Sequence, residues 1–141
     1  MRPVTDVVQH LPDDFWTVRW VGQMIPGFAP ERGLSDGANC QRFAYAVLDH
    51  FDVHIPPLRS DELWHDTEST CVVETPAPLD LLLFSPTDDP DGAHVGVSAG
   101  DERVLHLCAE VGLPAVWRLD DFAQRERYRV LIGAKRAIGC D

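Results

Sequence analysis

Near residue 79 the apolar pattern of this chain changes from helical spacing to strand-type runs. From Cys40, the apolar positions Phe43, Ala44, Val47, Leu48 and Phe51 recur at i+3, i+4, i+7, i+8 and i+11, which predicts an amphipathic helix whose first turn begins at the cysteine. Downstream, "LDLLLFS" (79–85), "HVGVSAG" (94–100) and "RVLHLCAE" (103–110) read as strands, the last two joined by a tight turn at Gly100-Asp101. "AVWRL" (115–119) and "YRVLIGA" (128–134) add two more, with a short helix at "DDFAQRER" between them. Helices followed by a run of strands predict an α+β fold, with N-terminal helices packed on an antiparallel sheet.

The first half supplies the remaining helices. "DDFWTVRWVGQM" places Phe15, Trp16, Val18, Trp20 and Met24 at helical spacings, ended by Pro26 and Gly27. The segment "PGFAPERGLSDGAN" is a loop by composition. Ser60, followed by Asp61 and Glu62, caps a short helix through Trp64.

At 141 residues the chain is read as a single domain, 1–141. A formal net charge of -11 argues against a nucleic acid or an anionic membrane as partner, since both would repel it. No segment approaches the roughly 20 apolar residues that cross a bilayer, and "MRPVTDVVQHLPDDF" carries no signal-peptide pattern. The chain as given therefore reads as cytoplasmic, with export by another route left open. Cys40, Cys71, Cys108 and Cys140 are widely spaced with no CxxC pair, so they read as free thiols.

Cys40 stands where a loop meets a helix. Unpaired N–H groups and the positive end of the helix dipole favour a thiolate there, and such settings lower a thiol pKa from about 8.5 toward about 3.5–7.5. That predicts selective alkylation of Cys40 near pH 6. A thiol nucleophile needs a base, and the base an orienting group. His94 and His106 answer this: pairing around Gly100 sets the two close to opposite each other, within about 4.5–5.5 Å at Cβ. His10, His50, His54 and His65 read as half-exposed polar residues. A zinc set of Cys40, His94, His106 and Cys108 lacks a short ligand pair of the usual spacing.

These residues resemble the NlpC-type papain-like cysteine peptidases, which cleave peptides of bacterial cell walls. The resemblance runs from about Trp20 to Arg136. "DGANCQRF" (36–43) resembles the family's glycine-rich loop and the Asp-Cys-Ser-Gly-Phe of its nucleophile helix. "FDVHIPPLRSDELW" resembles the stretch after that helix. "APLDLLLFS" resembles its Pro-Gly-Asp-Leu strand opening, with Pro78 and Asp80 kept. "HVGVSAGDERVLH" resembles the hairpin bearing the two catalytic histidines, and "VWRLDDFAQRERYRVLIGAKR" its closing strand-helix-strand. The resemblance implies a papain-like fold with Cys40 as nucleophile, His94 as base and His106 orienting His94.

The flank of the nucleophile departs from the family pattern. Asn39, Gln41 and Arg42 stand where Asp, Ser and Gly are usual, and these are the candidate substrate-binding residues. In the family that Asp and Ser grip a free amine and a γ-glutamyl unit, so the departure implies a changed wall-peptide preference; Arg42 either attracts a substrate carboxylate or is a solvated helix residue. The family's upstream tyrosine has no match in "MIPGFAPERG", where Phe28 is the nearest aromatic. The expected function is a thiol hydrolase cutting an amide or isopeptide bond of a small peptide or peptidoglycan fragment, with no metal or organic cofactor. The alternatives are a non-catalytic binding or accessory domain of the same fold, and an acyltransferase using the same Cys-His pair.

Overall fold

The computed structural model describes residues 6–23, 25, 34 and 36–138. Six strands form one antiparallel sheet: β1 (Thr70–Val73), β2 (Leu81–Ser85), β3 (His94–Gly100), β4 (Arg103–His106), β5 (Ala115–Arg118) and β6 (Val130–Ala137), in the order β1-β6-β2-β3-β4-β5. The helices are α1 (Val7–His10), α2 (Cys40–His50), α3 (Ser60–His65) and α4 (Leu119–Ala123), with 3-10 turns at Asp13–Thr17 and Glu126–Tyr128. The fold is α+β, as the change of period implies.

The sheet is covered on both faces, so β2 carries five successive buried residues instead of an alternating pattern. On one face Val95, Val97, Leu105, Leu81 and Leu83 pack with Phe43, Val47 and Leu48 of α2. On the other, Leu82, Phe84, Val104 and Ala134 pack with Phe122 and Tyr128 from the α4 region. Helix α2 ends where Asp52 takes a left-handed conformation (φ 65°), letting the Val53 N–H reach the Leu48 carbonyl at 2.9 Å.

Several expectations are corrected. "DDFWTVRWVGQM" forms only the 3-10 turn Asp13–Thr17, with no helix from Val18 to Gln23. Its backbone is used by a longer-range pairing: the Val21 N–H donates to Ala38 O (2.8 Å) and the Ala38 N–H to Arg19 O (3.0 Å). Met24, Pro26, Gly27 and Phe28 lie outside the described residues.

At α3, Ser60 is inside the helix and Arg59 is the cap; Glu62 Oε1 accepts from the Arg59 N–H at 2.8 Å. Ser60 Oγ instead accepts from the Ala93 N–H at 3.2 Å, tying α3 to the residue before β3. Strand β4 stops at His106, short of 110, because the Gly112 N–H turns back to Cys108 O at 2.8 Å. β1 was not expected. It pairs with the last half of β6, which runs three residues past the expected end.

The hairpin of β3 and β4 turns through Asp101 and Glu102, both at positive φ (56° and 63°). The register shifts between Ser98 and Gly100, so Val97 faces Leu105 and Ser98 faces Val104. Continued along the strands, that register sets Gly96 against His106. His94 therefore lies diagonal to His106, two residues beyond its cross-strand position, and not opposite it as simple pairing about Gly100 predicts.

Candidate active site

Helix α2 starts at Cys40 because Asn39 caps it: Asn39 Oδ1 accepts from the Arg42 N–H at 2.8 Å. The approach to that cap depends on Gly37, at φ 91°, where a side chain would stand 2.4 Å from Val21 Cγ2 and 2.9 Å from Arg19 O. The Cys40 thiol lies among the backbone amides of Cys40, Gln41 and Val95, the last being the residue after His94. Those N–H groups favour the thiolate, but burial opposes it more strongly and pushes the thiol up to about 11. The expected low-pKa thiolate is thus corrected: although half-buried by surface, the residue is too deeply surrounded by protein to hold charge at rest.

The two histidines meet as the sequence suggests, by a different geometry. His94 Nε2 and His106 Nδ1 are 2.9 Å apart, with ring centroids 5.0 Å apart and the rings nearly perpendicular. Gly96 makes this possible, since a side chain there would stand 2.5 Å from Val104 Cγ1 and 3.3 Å from His106 Cβ. With Nε2 of His94 engaged, Nδ1 is the nitrogen left for proton exchange. Among the described residues, the thiol's hydrogen-bonding neighbours are backbone amides and neither imidazole.

An aromatic enclosure surrounds the pair, and sequence reasoning missed it. Tyr128 lies 4.7 Å from His94 between ring centroids, and Trp117 and Phe122 lie 4.3 and 4.7 Å from His106. Phe84 stacks on Phe122 behind them. Burial holds His94 down to about 3, with the positive charge of Arg127 adding to it. Burial does the same to His106, down to about 2, followed by His94 and Arg125. Burial thus favours the neutral form of the thiol and of both imidazoles at rest. Among the described residues, His106 Nε2 is buried and has no hydrogen-bond partner. Trp117, Phe122 and Tyr128 stand close together in sequence after the hairpin, and that local aromatic density was the available signal.

The flanking residues divide. Asn39 is the helix cap, and Arg42, one turn on, is half-buried. Gln41, expected at the substrate, is buried; its Nε2 donates to Leu58 O at 2.9 Å and to Tyr45 Oη at 3.4 Å. It ties the first turn of α2 to the segment before α3. Cys108 is buried near Cys40, with its thiol meeting the Tyr128 hydroxyl. Among the described residues no three His, Cys, Asp or Glu side chains converge as metal ligands, so the zinc set of Cys40, His94, His106 and Cys108 is not assembled. A cavity of about 530 Å³ between Asp14, Phe15, Arg19 and Ala46 is lined by none of Cys40, His94 and His106.

No family model matches the chain, and no curated protein does. Among solved structures it is similar to an NlpC/P60 family protein from Bacillus cereus, with 19% sequence identity and a TM-score of 0.52. The similarity covers 71% of this chain and 32% of that one, so this chain spans about a third of the length of that structure. Likeness at that identity establishes the fold alone, an α+β fold shared with that NlpC/P60 structure.

Proposed function

We propose that the chain is a thiol hydrolase that cleaves an amide or isopeptide bond of a small peptide, of the kind found in bacterial cell walls, through Cys40, His94 and His106. The observation that carries this reading is the 2.9 Å contact between His94 and His106 beside a helix-start thiol that lies against the next amide in the same strand. Cys40 Sγ attacks the substrate carbonyl while its proton passes to His94 Nδ1. The carbonyl oxygen becomes an oxyanion near the Cys40 N–H. The C–N bond then breaks as His94 returns the proton to the leaving amine. Water, losing a proton to His94, attacks the thioester and regenerates the thiol. His106 keeps the His94 ring in place throughout. Because the resting groups are neutral, the proton moves as the S–C bond forms.

Wild type and Cys40→Ala, incubated with L-Ala-γ-D-Glu-diaminopimelate and with N-acyl dipeptide amides, test this by mass-spectrometric detection of released amine. Amine release that is lost in Cys40→Ala supports the reading; equal release, or none from any substrate, overturns it. A second reading, a binding domain that keeps the fold without turnover, is favoured by the burial that holds Cys40 protonated. Tight peptide binding with no amine release from wild type would establish it.

A further inference from the structure

We propose that Trp20, Val111 and Leu113 form an apolar subsite at the mouth of the candidate active site, taking an apolar side chain of the substrate beside the scissile bond. The proposal rests on Cys40 being the nucleophile and adds a specificity that the flanking residues do not suggest.

The backbone joins the three to the site. The Trp20 N–H donates to Gly112 O at 3.0 Å, while Val21 and Arg19 pair with Ala38, two residues before Cys40. One extended segment, 19–21, thus bridges the loop that delivers Cys40 and the loop that follows His106. Gly112 folds the second loop back on Cys108, whose thiol is close enough to Cys40 to influence its ionisation.

The side chains on this bridge are exposed in a way the rest of the surface does not require. Trp20 is 37% exposed, Val111 47% and Leu113 46%, in a chain of net charge -11. Among the described residues, the other large exposed apolar ones, Val72, Leu131 and Ile138, belong to the β1/β6 end of the sheet. Trp20 is also held in place: its indole lies over Gly22, where a side chain would meet Cη2 at 2.8 Å. An exposed indole, joined through its backbone to the residue between two exposed aliphatic side chains, suits one aliphatic or aromatic side chain. Three partly exposed side chains cannot supply the roughly 800 Å² per partner of a stable protein interface, which favours substrate over a partner protein. Apolar pockets separate substrates by about 10–200-fold per methylene, so even a shallow one gives a measurable preference.

The test has a binding arm and a turnover arm. In Cys40→Ala labelled with 15N at tryptophan, N-acetyl-leucinamide should move the Trp20 indole N–H signal, assigned with Trp20→Phe, and N-acetylglycinamide should not. In wild type, leucyl anilide should be cleaved at least about tenfold more efficiently than glycyl anilide. Trp20→Ala and Leu113→Ser should each reduce that ratio severalfold. A leucyl-selective shift without turnover overturns the hydrolase reading and keeps the subsite. Cys40-dependent turnover with no leucyl preference and no shift overturns the subsite and keeps the hydrolase. Failure of both arms overturns both.

Discussion

His94 Nε2 and His106 Nδ1 lie 2.9 Å apart across a strand pair whose register does not place the two residues opposite each other. The contact is diagonal, and it depends on the bare Gly96 between them. Removing His106 leaves a buried His94 nitrogen without its partner, which costs about 1–3 kcal/mol and frees the ring to turn. His106→Leu also removes the buried, unpartnered His106 Nε2, so its melting temperature should change little. Its kcat should fall about 100-fold or more. His106→Gln, whose amide oxygen can accept from His94, should recover part of kcat. Steady-state kinetics and thermal melts on the three proteins check this.

Gly96→Ala should destabilise the fold by about 1–3 kcal/mol, because the new methyl would meet Val104 Cγ1 at 2.5 Å and crowd His106. Urea unfolding measures the cost. A neutral result would mean the hairpin relaxes without loss, and the diagonal contact is looser than its geometry implies.

Stability should have a plateau bounded by both kinds of group. Each histidine is neutral when folded and holds its proton only far below its unfolded value of about 6.5. Between about pH 6.5 and 3 the unfolded chain therefore binds more protons, and stability falls as pH falls, by up to about 1.4 kcal/mol per pH unit for each histidine. Cys40 has the opposite slope. Its folded pKa of about 11 exceeds the ordinary value of 9.0, so stability falls as pH rises between them. Urea unfolding from pH 4 to 10.5 should show a maximum between about 6.5 and 9, and His106→Leu should flatten the acid limb.

Alkylation should follow exposure, not proximity to the histidines. Iodoacetamide at pH 7 should modify exposed Cys71 before half-buried Cys40, and buried Cys108 last. Peptide mapping by mass spectrometry reads the order. If Cys40 is modified first near pH 6, the resting site holds a thiolate and the neutral pair is overturned.

The two residues that flank Cys40 should respond differently. Asn39→Asp keeps an oxygen for the Arg42 N–H and adds a negative charge at the helix start, so it should stabilise by about 0.3–1 kcal/mol. It should also raise activity on L-Ala-γ-D-Glu-diaminopimelate if the family's Asp grips the amine. Gln41→Ser removes the bond to Leu58 O inside the protein and should cost about 1–2 kcal/mol whatever the substrate. Unfolding and kinetics on both variants separate the roles.

Legibility in the sequence followed the range of the interactions. Helix α2 and its start at Cys40 were readable because a 3.6-residue apolar period acts within one or two turns, whereas the Asn39 cap was seen only in the structure. The β3–β4 hairpin was readable for the same reason, and with it the closeness of His94 and His106. β1 was not, because its four residues carry no alternation and owe their pairing to β6, some sixty positions away. The stretch from Asp13 to Met24 had helical spacing, yet the backbone of Arg19 and Val21 was claimed by Ala38.

At the site, the sequence by itself determined which groups are present and roughly which are neighbours: a thiol at a helix start and two imidazoles on adjoining strands. Tertiary structure decided their state. The bulge at Ser98 made the histidine contact diagonal, Gln41 was turned inward to Leu58, and Phe84, Trp117, Phe122 and Tyr128 closed over the imidazoles. Burial by residues distant in the chain then outweighed the helix-start amides and left thiol and imidazoles uncharged. Spacing along a chain sets who can meet, whereas the cost of charge depends on everything packed around the meeting point.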